Sequence, residues 1–343
     1  MHKTALTFIT SKLPATHFVQ KEQPLDDCSV FAPVNIALVK YWGKRDVALN
    51  LPQNDSLSIG LKTLGTTTQI SPSQTGQHQI SLNEEIQNPA SVFSKRLTDF
   101  LVAFVPQGHY LNIDTVNSIA TAAGLASSAS GFAALVKALD KYYQWQLPLT
   151  DLSAFARIGS GSACRSLWDG FVHWNKGSLE NGSDSIGKPV HVNEKQWGNM
   201  RIGLIELSHK EKAISSTQGM KNTVDTCPLY QPWPDLAQAD LQQMLQAIST
   251  FDFTLLGETA EANALAMHAT MIATRPPVFY WIPSSVATMH KVWEARQAGI
   301  EVYFTMDAGS NVKLISLQCY QQDLNLIFDK VRWVTPFPAS SEE

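Results

Sequence analysis

"FAPVNIALVKYWGKRD", residues 31–46, begins as an apolar run broken by Pro33 and Asn35. Within ten residues it then sets Lys40, Lys44 and Arg45 around Tyr41 and Trp42. The apolar half reads as a buried β-strand. The second half carries cations out of the end of that strand, where desolvated positive charge is costly unless an anion meets it.

Outward from this stretch, β-type runs alternate with turns from 29 to about 72: "SVFAPVNIALV", "SLSIGL" and "TTTQIS", followed by "GHYLNIDTVN". In "TAAGLASSASGFAALVKALDKYYQW", Phe132, Leu135, Val136, Leu139 and Tyr143 recur at helical spacing and predict an amphipathic helix. "LPLTDLSAFARIG" predicts a second, with Thr150 as N-cap and Gly159 as its stop. "SLWDGFVHWNKG" returns to strand and "GSLENGSDSIGK" is turn-rich. Further on, "MRIGLIEL" reads as strand and "DLQQMLQAISTFDFTLLGETAEANALAMHATM" as one or two helices. "SSVATMHKVWEARQAG" is another helix, "VYFTMDAGSNVKLISL" a strand pair around a turn, and "DLNLIFDKVRW" a final helix. Strands and helices interleave without strict βαβ alternation, which favours α+β over a doubly wound sheet. At 343 residues two lobes are expected. The boundary falls near 190, so that 28–190 form one lobe and 191–343 the other. Residues 1–27 read as a loosely attached extension in which "ALTFIT" could form an edge strand.

The chain is 44% hydrophobic, 16% charged and carries a net charge of −4. It lacks the excess of Lys and Arg that binds a nucleic-acid backbone. Cys28, Cys164, Cys227 and Cys319 lie far apart with no CxxC pair, so neither a zinc motif nor a disulfide framework is expected. No run approaches the ~20 apolar residues of a membrane span, and the start lacks the pattern of a signal peptide. A soluble, cytoplasmic protein with reduced thiols is the expectation.

Four segments could carry chemistry. In "NSIATAAGLASSASG", residues 117–131, eight of positions 121–130 are Ala, Gly or Ser, directly before a helix. Small side chains at a helix N-terminus make an anion cradle, and Ser127 and Ser128 add hydroxyls for phosphate or magnesium. A tightly packed helix end would look the same. In "GSGSACRS", residues 159–166, Ser162 can cap a new helix whose first turn projects Arg165, either onto a carboxylate or phosphate or onto a surface acid. In "TMDAGSN", residues 305–311, Asp307 is either a turn former or a carboxylate presented at a strand end. "SSTQGM", residues 215–220, follows "HKEK" and fits both a capped helix start and an anion site. No GxSxG, HExxH, Walker or GxGxxG pattern competes.

In this order, together with "LPQNDSLSIGL", these motifs resemble the mevalonate diphosphate decarboxylases of the GHMP kinase superfamily, from about residue 31 to 315. The resemblance implies an α+β, two-lobed GHMP kinase fold, with a ribosomal-S5-like N-terminal lobe that binds nucleotide and a ferredoxin-like C-terminal lobe. It implies ATP and Mg²⁺ as cofactors, mevalonate 5-diphosphate as substrate, no nucleic-acid or membrane partner, and a homodimer. Catalytic residues would be Asp307, Lys40 and Arg165. Tyr41, Lys44, Ser160, Ser162, Arg165 and Ser216 would hold the substrate. Ala123, Gly124, Leu125, Ala126, Ser127, Ser128, Asn54 and Ser56 would serve the nucleotide, with Ser127 and Ser128 near Mg²⁺, and Asn35 would support the site. The implied reaction is ATP-dependent decarboxylation to isopentenyl diphosphate. Alternatives are a relative acting on mevalonate 5-phosphate, a 3-kinase that does not decarboxylate, and a non-catalytic ligand-binding paralogue. The chain departs from the family pattern at Asp55, which adds a carboxylate near the expected nucleotide pocket, and at Gly60, Ala120 and Ser310.

Overall fold

The structure is a computed structural model, and it describes residues 1–18, 28–118, 127–210 and 212–337. The first part of the chain forms α1 (Lys3–Lys12), β1 (Cys28–Val39), β2 (Lys44–Asp46), β3 (Leu51–Pro52), β4 (Ser56–Pro72), β5 (Gln79–Leu82), β6 (Glu85–Ile86) and α2 (Val92–Leu101). Then come β7 (Leu111–Asn117), α3 (Ser127–Tyr142), α4 (Leu149–Gly159), a 3₁₀ turn at Gly161–Arg165, β8 (Gly170–Trp174) and β9 (Gly187–Pro189). The rest comprises α5 (Glu194–Trp197), β10 (Met200–Ile205), α6 (Ser216–Thr226), α7 (Trp233–Thr250), α8 (Phe253–Ile272) and α9 (Pro283–Gln297). It closes with β11 (Val302–Thr305), β12 (Val312–Leu317), a second 3₁₀ turn (Gln318–Tyr320), α10 (Gln321–Ile327) and β13 (Arg332–Val334).

The runs expected as two strands, "SLSIGL" and "TTTQIS", are one long strand, β4, and the first sheet is built on it. β1 pairs along its length, β8 pairs with its first half and β7 with its last, all antiparallel. Pro33 cannot donate to a ladder, and it sits where the β1–β4 register shifts, the position a sheet tolerates. Beyond that bulge, Val34, Ile36 and Leu38 are buried. The second sheet runs β11-β12-β10-β13. Side chains of β1, β4, β10, α7, α8 and β11 share one apolar cluster, including Ile36, Ile59, Ile202, Met244, Leu256 and Tyr303, so the lobes meet through a continuous core. The end of β1 therefore opens into the angle between the two sheets.

Several local expectations are corrected. The "ALTFIT" stretch is not an edge strand but part of α1, and it is not loose: Ala5, Phe8 and Ile9 are buried, and Lys12 pairs with Asp151 at 3.0 Å. In α4 the N-cap is Pro148, two residues before Thr150, where proline's fixed φ suits entry into the helix. Arg165 ends its 3₁₀ turn instead of starting a helix, with Ser160 at the N-cap in place of Ser162. The final helix stops at Ile327, and "VRW" returns to the second sheet as β13 on β10. The long helical run divides at Phe251, whose left-handed backbone lets Asp252 cap α8. Of the face predicted for α3, Phe132, Leu135, Val136 and Leu139 are buried as their periodicity requires, while Tyr143 follows the end of the helix and is only half-buried, with Tyr142 buried instead.

Candidate active site

β1 ends at Val39, and the next residues turn into a cavity of about 620 Å³ between the two sheets. The turn is forced by contacts from the second sheet's side. The Trp42 carbonyl accepts from Tyr230 Oη at 3.0 Å and from Trp233 Nε1 at 2.9 Å. Gly43 has φ +106°, and a Cβ there would overlap the Tyr230 hydroxyl. Lys40 is thereby aimed inward. Its backbone N–H donates to Asn263 Oδ1 at 2.7 Å, and Nζ donates to Ala37 O at 2.7 Å and to Asp307 Oδ1 at 3.0 Å.

The cavity brings together Lys40, Tyr41, Lys44, Ser128, Ser160, Ser162, Arg165, Ser216 and Asp307 from the residues singled out in the sequence, with Asn35 beside them. Arg165 is buried against the Trp174 ring, donating to Ser56 Oγ and, at 3.5 Å, to Asn35 Oδ1. Asn35 in turn donates to Ser162 O and Ser166 Oγ. The Arg165 Nε and Tyr41 Oη groups are buried and have no partner among the described residues. Both belong to residues that line the cavity, and each is left with a hydrogen bond unmade in its wall.

Charge is concentrated here. Lys40, Lys44, Arg96, Arg165, Lys210 and Lys212 line the cavity against one lining carboxylate, Asp307, among the described residues. Burial pulls Lys40 down to about 8, with Lys313 and Arg165 adding to the effect and Asp307 opposing it. Burial, helped by Arg96, takes Lys44 to about 8 as well. For Asp307, burial would raise the carboxyl, but Lys40 and Lys313 outweigh it and hold the group far below the usual carboxylate range. About 30% of its side chain faces the cavity, against 2% for Lys40.

Some expectations lie elsewhere. Ala123, Gly124, Leu125 and Ala126 fall outside the described residues, as do the Ser127 side chain and Ala120. Asn54 and Ser56, expected to serve the nucleotide, do not line the cavity. Asn54 donates to the Lys40 and Asp55 carbonyls, and Ser56 accepts from Arg165, so both stand behind the wall. Asp55 does not line the cavity either. It accepts from His173 Nε2 at 3.0 Å and from Lys176 N at 2.9 Å, and it turns away from the cavity. At Gly60 a Cβ would lie 2.6 Å from Trp168 O, so this chain's β4–β8 packing leaves no room for a side chain there. Arg45 reaches the carbonyls of the 176–179 loop instead of the cavity. Sequence reasoning missed Arg96, Asn50, Lys313 and His268. Lys210 and Lys212 were signalled only by "HKEK" beside the serines.

Ser128 and Ser160 hydroxyls lie 3.3 Å apart at the cavity's edge. No cluster of three His, Cys, Asp or Glu side chains that could hold a metal occurs among the described residues. The donor set therefore fits a cation that arrives on phosphate oxygens and takes hydroxyl or water ligands from the protein. Beside the main cavity lies a narrower, apolar one of about 160 Å³, which shares Arg96 and Ser128 with it and is walled by Phe93, Leu97, Phe132 and Leu135.

Two α+β lobes closed around a cationic cleft define a phosphate-handling enzyme of the GHMP type. Residues 32–187 match the diphosphomevalonate decarboxylase-like N-terminal domain, and 204–340 match the mevalonate 5-diphosphate decarboxylase C-terminal domain. A diphosphomevalonate decarboxylase of Candida albicans is 38% identical over 298 residues, covering 82% of each chain. The crystal structure of the Staphylococcus aureus mevalonate diphosphate decarboxylase superposes with a TM-score of 0.85 at 35% identity, over 92% of this chain and 96% of that one. A structure of MDDEF in complex with MVAPP, AMPPCP and magnesium gives 0.84 at 38% identity, over 91% and 97%. The chain belongs to the diphosphomevalonate decarboxylase family.

Proposed function

We propose that the chain catalyses ATP-dependent decarboxylation of mevalonate 5-diphosphate, giving isopentenyl diphosphate, ADP, phosphate and CO₂. The observation that carries this reading is the meeting of Lys40, Arg165 and Asp307, from three distant segments, in one cation-rich cavity. The related proteins' names and the complex with MVAPP, AMPPCP and magnesium support the substrate, nucleotide and metal. The substrate brings about three to four negative charges and ATP about four more, and phosphoryl transfer is mostly a matter of neutralising and aligning such groups.

In this arrangement Lys44 and Tyr41 receive the substrate's diphosphate, and the Arg165 guanidinium receives its carboxylate. Asp307 accepts a hydrogen bond from the 3-hydroxyl, and Lys40 stands beside the phosphoryl group in transit. Ser128 and Ser160 address the nucleotide phosphates, with the apolar side cavity taking the base. Magnesium, carried on the ATP phosphates, supplies charge neutralisation. The γ-phosphoryl passes to the 3-hydroxyl. Phosphate then leaves the tertiary carbon with the C–O electrons, and the C–C electrons of the carboxylate fill the new double bond as CO₂ departs. The water-poor walls and fixed cations supply the electrostatic part of catalysis.

The lobes proposed are 28–190 and 191–343, a division supported by the two sheets and the two family matches. No helix among the described residues is long and apolar enough to cross a membrane. All four cysteines are thiols, which supports a cytoplasmic setting. ADP release, assayed with mevalonate and with its 5-phosphate and 5-diphosphate, tests the reading. Turnover with the diphosphate is expected, and turnover confined to the monophosphate would reassign the substrate.

Two predictions arise here. Asn50 accepts from Lys44 Nζ at 2.6 Å and donates to the last carbonyls of α4, Arg157 O and Ile158 O. Asn50→Ala is expected to raise KM for the diphosphate roughly tenfold with kcat nearly unchanged, a loss of about 1.4 kcal/mol. Asn50→Gly, which keeps the positive φ of 53°, should behave alike if the amide is responsible. The second concerns pH. Lys40 and Lys44 are charged below about 8 and neutral above it, so kcat/KM falls as pH rises through that value. A profile that stays level well beyond it contradicts the assignment of either lysine to the anions.

A further inference from the structure

The Asp307 carboxylate has two cationic partners, one on each oxygen. Lys40, from the end of β1, reaches Oδ1 at 3.0 Å, and Lys313, on β12, reaches Oδ2 at 3.3 Å. Both ammonium groups are almost wholly buried, at 2% and 3% side-chain exposure. Lys313 is held rigidly, because β12 is a central strand and residue 313 pairs with Thr305 on β11 and with Leu204 on β10. The Asp307 backbone is pinned as well: His268 Nε2 donates to its carbonyl at 3.2 Å. A carboxylate bonded through one oxygen can swing about its Cβ–Cγ bond, whereas one tied through both oxygens to separate strands cannot.

We propose that Lys313 is a positioning residue for the transferred-phosphoryl step: by holding Oδ2 it fixes the plane of the Asp307 carboxylate and sets how much of that charge Lys40 shares. Lys313 does not line the cavity and takes no part in substrate contact. The proposal rests on the decarboxylase reading above and adds to it a residue from the second sheet. The charged and titratable groups facing this pair are Lys40, Lys313, Arg165, Lys212 and His268. His268 is held neutral by burial, at about 3. Lys313 lowers Lys40 by like-charge repulsion, so removing it moves the Lys40 titration upward from about 8.

The test uses the full chain and the variants Lys313→Met and Lys313→Arg, with Lys40 followed by the ¹³Cε signals of labelled lysine and assigned by its loss in Lys40→Arg. Lys313→Met is expected to lower kcat at least ~10-fold while both KM values stay within ~2-fold, and to raise the Lys40 titration. Lys313→Arg should recover most of both. A kcat within ~2-fold of wild type in Lys313→Met, or an unmoved Lys40 titration, overturns the proposal. Should the Met variant fail to fold, Lys313→Gln keeps a donor to Oδ2 without the charge and must show the same upward titration. The titration needs no turnover: a wild-type protein that releases no CO₂ refutes the decarboxylase reading, while the Lys40 signal still decides the role of Lys313.

Discussion

Asp307→Asn is expected to lower kcat at least ~1,000-fold, a rise of about 4 kcal/mol in the barrier. The effect exceeds that of losing one hydrogen bond because two charges change at once. Asp307 opposes the burial that pulls Lys40 down, so without it the Lys40 titration falls further below about 8 and the ammonium loses its proton near neutrality. The amide still accepts a hydrogen bond but no longer pairs with two buried lysines. Breaking a buried pair typically costs on the order of 3–5 kcal/mol. Melting temperature therefore falls too, and single-turnover rates on protein shown to be folded separate the catalytic loss from the structural one. A kcat within ~10-fold of wild type removes Asp307 from the chemistry.

Arg165→Lys carries the second large effect, a loss of roughly 1,000-fold in kcat/KM shared between a higher substrate KM and a lower kcat. The guanidinium lies against Trp174 and spends its Nη groups on Ser56 and Asn35. A lysine ammonium cannot make those three separated contacts at once. It would leave the Asn35 and Ser56 oxygens short of a donor in a buried wall, each costing about 1–3 kcal/mol. Steady-state kinetics with varied substrate at saturating ATP reads the split. An unchanged substrate KM means that Arg165 does not bind the carboxylate.

How much of this was legible in sequence follows from the range of each interaction. The strand ending in Lys40 and the amphipathic face of α3 are local patterns, and the sequence shows them directly. The motif order also brought Arg165 and Asp307 into one site. Pairings between distant segments were not legible. Asp55 looked like a stray acid near a nucleotide because its partner His173 lies 118 residues on, across the β4–β8 pair. Lys313 reads as one more residue in a strand, and only the closure of the two lobes shows that it faces Asp307. Arg96 lies in a stretch to which the sequence reading assigned no element, and on α2 it donates to Gly159 O at 2.6 Å and lines both cavities. The left-handed Phe251 that divides α7 from α8 has no sequence signal, since glycine is the residue expected there.

The most direct measurement is a single turnover of the wild-type protein with ATP, Mg²⁺ and mevalonate 5-diphosphate labelled with ¹⁴C in its carboxylate, in which labelled CO₂ and inorganic phosphate are counted together. One CO₂ per phosphate is the predicted result, because the proposed arrangement sets the carboxylate at Arg165 and the hydroxyl at Asp307 and Lys40 in one cavity. Phosphate or a stable phosphorylated product appearing with the label still in the carboxylate would contradict it.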